Sequence, residues 1–394
     1  MGIQQDLIAR AVTRAVNGRC IVNPTRPHSL FASILLVVLT LLSPAGIAHA
    51  NDGVPVIHVT DLHRPHVDPD DHWDLACIYA LAHRGDIDLR GVLIDYPPAQ
   101  RPDRNPDIAA VAQMNRITGL AVPVAVGTPH PMKSRNDAQS YASKSDHQGI
   151  EMVLDLLRRS GRPVVINVIG DSRSIAVAGK KAPDLFSQKC AGVYLNAGCG
   201  VPKKADNARL EYNVTLGKAA YEAMFDLPCP VYWMPCFESL EKKKAPGAPE
   251  FGTHYRFRQS EILPHLSKNV QIYFAYMFAR QTDQHWLRCL EGEPDEALLT
   301  RVGKQDRHMW CTAGFFHAAG YSVAPDGTTP TLDATGAKTV FSFDPIRITR
   351  MGPGGNEWAP DPASTTRFIF HVQDPEHYQP AVTQAMKQLL VELP

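Results

Sequence analysis

Short apolar runs alternate along this chain with stretches in which apolar side chains return every three or four positions. Val56, Ile57 and Val59 open the series as a run with no polar face, the pattern of a buried strand. Leu75, Ile78, Tyr79 and Ala82 follow at i, i+3, i+4 and i+7, the stripe of an amphipathic helix. The alternation then continues. Strands are predicted at 87–95, 121–127, 163–171, 191–198 and 230–235, and helices at 108–120, 148–160 (closed by Gly161), 174–181 and 219–225. From about Val323 the chain is richer in Gly, Pro, Thr and β-type residues, and it ends in a helix over 378–393. Strands separated by helices predict βαβ units, hence an α/β, three-layer Rossmann-like fold with a mostly parallel central sheet. No internal repeat is found, and the one shift in composition, K-K-K-A-P-G-A-P at 242–249, reads as an exposed loop.

The first fifty residues follow a different rule. Arg10, Arg14, Arg19 and Arg26 precede an apolar run from Leu30 to Leu42, which Ser43-Pro44 interrupts ahead of A-H-A at 48–50. A basic region, a short apolar core and small residues at the end predict an export signal over 1–50, leaving one domain over 51–394 in a periplasmic or extracellular setting. The apolar run is short for a membrane span, so membrane attachment would come only from a signal left uncleaved.

Composition narrows the partners. The chain has 394 residues, 44% hydrophobic and 20% charged, with formal net charge zero, which gives no basis for binding a polyanion. No basic stripe interleaved with aromatics points to nucleic acid. Beyond the signal, seven cysteines remain (Cys77, Cys190, Cys199, Cys229, Cys236, Cys289, Cys311), an odd number at low density. Cys77 and Cys311 sit in apolar contexts where a thiol packs as a small hydrophobe. Cys229 and Cys236, flanking P-V-Y-W-M-P, are candidates for a bridge. Self-association is left open.

The chemistry is concentrated where the first strand gives way to the first helix. Asp61, Asp68, Asp70, Asp71 and Asp74 lie there among His58, His63, His66 and His72. Like charges so close repel, and a cation or a hydroxyl-rich ligand would offset the cost. Open α/β sheets bind ligands at the carboxyl ends of their strands, where this cluster falls. The stretch is therefore the candidate active site.

The motifs resemble those of the inosine–uridine nucleoside hydrolases, whose signature is D-x-D-P-G-x-D-D. Its counterpart here is Thr60-Asp61 with D-P-D-D at 68–71, separated by the insertion L-H-R-P-H-V. The segments at 108–132, 165–176 (V-I-N-V-I-G-D-S-R-S-I-A), 210–214 (L-E-Y-N-V) and 306–314 (D-R-H-M-W-C-T-A-G) are similar to later family motifs, in the family's order. The resemblance implies a nucleoside hydrolase-like fold and a Ca²⁺-assisted cleavage of N-ribosidic bonds in a small riboside or related sugar. It implies Asp61, Asp71 and the backbone carbonyl of Arg173 as calcium ligands, with Asp306 a substitute for a ligand missing from the pattern, Asp70 as general base or acceptor from a ribose hydroxyl, and Glu211, Asn213, Asp74 and His308 as contacts to the substrate.

The chain departs from the pattern at three points. The family places an aspartate after the late histidine, whereas here Met309 follows His308, and a thioether is a poor calcium ligand. Asp306 is the substitute within reach. Tyr96-Pro97 replaces a Gly-Asn pair, and the glycine of the first motif is absent. Two other readings stand beside hydrolysis. One is a secreted protein of the same fold that binds a sugar or nucleoside without cleaving it. The other is a metallophosphoesterase, resembled by V-I-H-V-T-D-L-H at 56–63 and V-I-G-D at 168–171 but lacking that family's later G-N-H-[DE] and G-H-x-H motifs.

Overall fold

Nine strands form one sheet in the order Gly355–Pro360, Phe341–Gly352, Arg367–Val372, Val231–Met234, Cys190–Asn196, Val164–Val168, Val54–Thr60, Ile87–Ile94, Val124–Val126. This computed structural model describes residues 53–66, 69–201, 210–239, 248–352 and 355–394. The expected signal segment, Asp68 and most of the 242–249 loop lie outside them. Every pairing in the sheet is parallel except the two made by Phe341–Gly352, which turns the C-terminal edge antiparallel.

Helices cover both faces because the strands are apolar on both. In the first strand, Val56 belongs to one core and Ile57 and Val59 to the other. The first core gathers the helices Asp70–Arg84, Ile108–Thr118, Lys268–Phe278, Thr312–Ala318 and Tyr378–Leu390. The second gathers Gln148–Arg159, Arg173–Lys181, Pro183–Lys189 and Lys218–Met224. The result is the three-layer α/β arrangement that the alternation predicts. Helices Lys268–Phe278 and Glu296–Gly303 had no counterpart in the periodicity reading.

The helix Asp70–Arg84 differs from its expected stripe. All residues from Asp71 to Ala82 are buried, not one face alone. Trp73 accounts for much of this, its ring lying 4.2 Å from Phe274 and 5.1 Å from Phe257 on the side away from the sheet. Its ends follow the chemistry of helix termini. Asp70 and Asp71 stand at the positive amino end, and Gly85 takes the left-handed conformation (φ 88°) that stops the helix.

Strand order places the ligand site. The chain lays down Val54–Thr60, Ile87–Ile94 and Val124–Val126 outward in one direction, then returns to set Val164–Val168 on the other side of the first strand. At such a reversal the connections after the two central strands run opposite ways and open a crevice at the carboxyl edge. Asp61 follows one of those strands and Gly170-Asp171 follows the other.

The cysteines are unbridged: all seven described thiols are free. The expected Cys229–Cys236 bridge does not form because the strand Val231–Met234 lies stretched between them. Four extended residues span about 13 Å, well beyond the Cα separation of about 7 Å that a disulfide tolerates.

Candidate active site

Asp61, Asp70, Asp71, Asp74 and Glu211 line a single cavity of about 510 Å³ at the carboxyl edge of the sheet, together with Asn196 and Asn213. No lysine, arginine or histidine is among the described residues lining it. The helix Asp70–Arg84 presents Asp70, Asp71 and Asp74 within its first five residues, and Thr60 Oγ1 donates to Asp71 Oδ1 over 3.3 Å. Burial, reinforced by the charge of Asp61, pushes the Asp74 carboxyl up to about 8 against the opposing hydrogen bond from Cys311. Burial thus favours the protonated form of Asp74, in which it would donate as well as accept.

Beside the cavity lies a buried charge cluster. Asp95 Oδ2 accepts from the Asp171 amide over 2.5 Å, and burial raises the Asp95 carboxyl well above its usual range, with Asp171 and Asp61 adding to the shift. The Arg173 guanidinium grips Asp171 through Nε (2.8 Å) and Nη2, and its Nη1 reaches the carbonyls of Thr128 (3.3 Å) and Pro129 (3.1 Å). This side chain thus ties together the ends of two strands, and Asp171 links them to a third through Asp95. Gly170 makes this possible, since a Cβ there would lie 2.4 Å from Asp95 Oδ2 and 2.8 Å from the Asp61 amide nitrogen.

The resemblance singles out the Arg173 carbonyl, yet the structure gives the work to its side chain. Arg173 opens the helix Arg173–Lys181, where the carbonyl faces along the helix toward the i+4 amide. Arg173 lines a second, larger hollow of about 710 Å³ that shares Asp61, Asp71, Tyr212 and Thr215 with the acidic cavity and is bordered by Arg101 and Arg104.

Glu211 and Asn213 are brought to the cavity as expected, and their bonds explain how. Glu211 caps the helix Tyr212–Leu216 by accepting from the amides of Asn213 (3.0 Å) and Val214 (3.3 Å), and it also accepts from Gly198 N (2.9 Å). Burial raises its carboxyl, and these amide bonds oppose the shift. Asn213 Nδ2 donates to the carbonyls of Ile169 (3.1 Å) and Asn196 (2.9 Å), fastening the ends of two neighbouring strands. Its carbonyl oxygen is left for a ligand.

Asp306 and His308 are not brought in. They fall on the outer side of the strand Asp306–Met309, where Asp306 pairs with Arg258 (2.9 Å) and His308 stacks on His254 with ring nitrogens 2.9 Å apart. Side chains alternate along a strand, so the pleat that buries Met309 completely turns its neighbour His308 outward. The wall they were expected to supply is made by Trp310 and Cys311, with Cys236 and Phe237.

Sequence reasoning missed Asp95, Asp171 and Asn196. Each ends a strand that the periodicity had located, so the carboxyl-edge rule that nominated Asp61 would have found them.

The cavity fits a hard divalent cation on one side. Within that cavity Asp61 and Asp71 offer carboxylate oxygens, calcium's preferred donor chemistry, while the adjoining hollow lines the same two residues with Arg104 and Arg173. The thiols and aromatics opposite add no hard donor.

No family model and no curated protein matches the chain. Among solved structures it is similar to a purine-preferring ribonucleoside hydrolase from Gardnerella vaginalis (14% identity, TM-score 0.49, 85% of this chain and 99% of that one). It is also similar to an inosine-uridine preferring nucleoside hydrolase from Bacillus anthracis (11%, 0.42, 85% and 99%). A third is the type III effector protein XopQ complexed with adenosine diphosphate ribose (15%, 0.41, 92% and 100%). These are similarities of fold, and what the site does is carried by its own residues.

Proposed function

We propose that the chain is a hydrolase of N-ribosidic bonds that uses a calcium ion held by Asp61 and Asp71. The observation that carries this reading is the joining of five carboxyl groups and two asparagines in one cavity without a basic residue among its described lining. Such a lining matches the vicinal hydroxyls of a ribose and a cation at once. When bound, calcium would orient those hydroxyls and lower the pKa of a water. Asp70, at the mouth of the helix, accepts the proton from the water that attacks the anomeric carbon. Protonated Asp74 donates to a sugar oxygen, and Asn213 and Glu211 hold the hydroxyls on the far side. The hollow beside Tyr212, with Arg101 and Arg104 at its border, leaves room for the leaving group. Export is part of the proposal, supported by the basic and apolar pattern of residues 1–50.

The test is a screen of nucleosides and related ribosides for release of reducing sugar, with and without EDTA. Asp70→Asn is expected to lower kcat by about 10²–10⁴-fold, the usual share of a general base, while retaining calcium-dependent thermal stabilisation. Activity indifferent to EDTA and to Asp71→Asn would rule out the calcium mechanism. Absence of turnover with retained riboside binding would favour the second reading, a sugar- or nucleoside-binding protein, which the thiol and aromatic wall of Trp310 and Cys311 favours.

A further inference from the structure

Three side chains outside the acidic cavity come together from separate elements. His66 lies in the connection between the first strand and the helix Asp70–Arg84, His72 in that helix's first turn, and Asp107 at the N-cap of Ile108–Thr118. All are buried, at 3%, 1% and 2% exposure. We propose that His66, His72 and Asp107 form a separate metal site, suited to zinc and similar late transition ions, that fastens the acidic loop to the neighbouring helix.

The spacing supports an ion at their centre. Asp107 Oδ2 lies 3.1 Å from His72 Nε2 and 3.5 Å from His66 Nε2, and one ligand atom from each residue falls within 4.8 Å of the others. Zinc–nitrogen and zinc–oxygen bonds of about 2.0–2.1 Å set the edge of a tetrahedron at about 3.3 Å, between the two observed separations. The two rings stand nearly perpendicular (87°) with centroids 4.2 Å apart, so neither stacks over the other's nitrogens.

The protein alone does not satisfy this cluster. Neither ring nitrogen of His66 makes a hydrogen bond, nor does Nδ1 of His72. A buried, unpartnered imidazole is costly, and a metal ion removes the cost at His66 by taking a lone pair. Asp107 is prepared for the division of labour. Its Oδ1 caps the helix by accepting from Ala110 N (3.2 Å), leaving Oδ2 for the two imidazoles. Tyr273 donates to the His72 carbonyl (3.2 Å), which steadies the turn carrying the ring.

Donor chemistry separates this site from the acidic cavity. Two imidazoles and one carboxylate suit zinc and its first-row neighbours, whereas an all-oxygen set suits calcium. Three protein ligands leave a fourth position for water. Because His72 follows Asp71 directly and His66 precedes Asp70 by four residues, an ion here holds both sides of the segment that presents the acids.

The experiment uses the protein freed of metal by EDTA and dialysed. Isothermal titration with zinc chloride is expected to give one site per chain, undiminished by millimolar calcium and by Asp61→Asn in the acidic cavity. His66→Gln and His72→Gln should each weaken zinc by no less than about 100-fold, the upper end of what losing even an outer partner of a metal ligand costs. Cobalt-loaded wild-type protein should show the strong visible absorption of four-coordinate cobalt, a readout that needs no variant to fold. Zinc binding equal in wild type and His72→Gln, or abolished by Asp61→Asn, would overturn the proposal, as would cobalt spectra of a six-coordinate ion. These outcomes are independent of whether ribosides are cleaved.

Discussion

On one wall of the cavity stand Asp61, Asp70, Asp71 and Asp74, all from one short stretch of chain; on the other stand Cys236, Phe237, Trp310 and Cys311, from two distant ones. The first wall is hard and anionic, the second soft and largely apolar. On the proposed reading, a calcium ion between them would find its oxygen ligands on one side only, and the hydroxyls of a bound sugar and water would complete the six to eight positions it requires. Metal and substrate would then belong to one binding event, each strengthening the other's affinity.

The contrast is most sharply broken by removing the charge that holds the anionic wall in register. Arg173→Met would leave Asp171 buried without its guanidinium, and breaking such a pair costs about 3–5 kcal/mol. Urea unfolding should show this loss, and a midpoint within error of wild type would mean the clamp is dispensable. A smaller effect is expected from Gly170→Ala. The added methyl meets Asp95 and the Asp61 backbone inside van der Waals contact, and overpacking of this kind costs about 1–3 kcal/mol. Calcium-dependent stabilisation should weaken in parallel, because Asp61 is displaced.

Acid provides a third lever. His58 is fully buried in the first strand, edge-on to Phe315, and burial lowers its imidazole from the usual 6.5 to about 3. Its folded pKa lies below its unfolded one, so the unfolded chain takes up the proton first. Stability is whole above pH 6.5 and falls on acidification toward pH 3, by up to about 1.4 kcal/mol per pH unit from this residue. His58→Leu should flatten the pH profile of the melting temperature between 6.5 and 4. An unchanged slope would assign the acid sensitivity elsewhere, to His66, lowered chiefly by burial to about 3, or to His317, lowered by burial to about 4. The smallest effect sharpens the comparison: Trp310→Asp places a carboxylate on the soft wall and should tighten calcium about tenfold, since ligand charge tunes calcium affinity. Calorimetry with calcium checks it.

Much of this arrangement was legible before any coordinates. The switch between two periodicities located most strands of the parallel sheet, and crowded aspartates at a strand end marked Asp61, Asp70, Asp71 and Asp74 as one group. Glu211 and Asn213 were reached through the resemblance, and both line the same cavity. What escaped detection depends on distance through space. Asp95 and Asp171 meet from strand ends 76 residues apart, and Arg173 joins them through its side chain rather than through the carbonyl that the resemblance points to. Asp306 and His308 failed for the opposite reason: their place in the motif order was right, but strand pleating around buried Met309 turned His308 toward solvent and Asp306 toward Arg258. The helix Asp70–Arg84 hid a further fact, since its second apolar face depends on Phe257 and Phe274, supplied some two hundred residues later.

The contiguity of the acidic wall has a consequence for descent. Residues 61–74 pass from one generation to the next as a block, and no loop elsewhere needs to change for them to be kept together. The facing wall is assembled from two segments, 236–237 and 310–311, each of which can lengthen or mutate alone. A change at Trp310 or Cys311 would therefore alter what the cavity accepts while leaving the contiguous acids untouched.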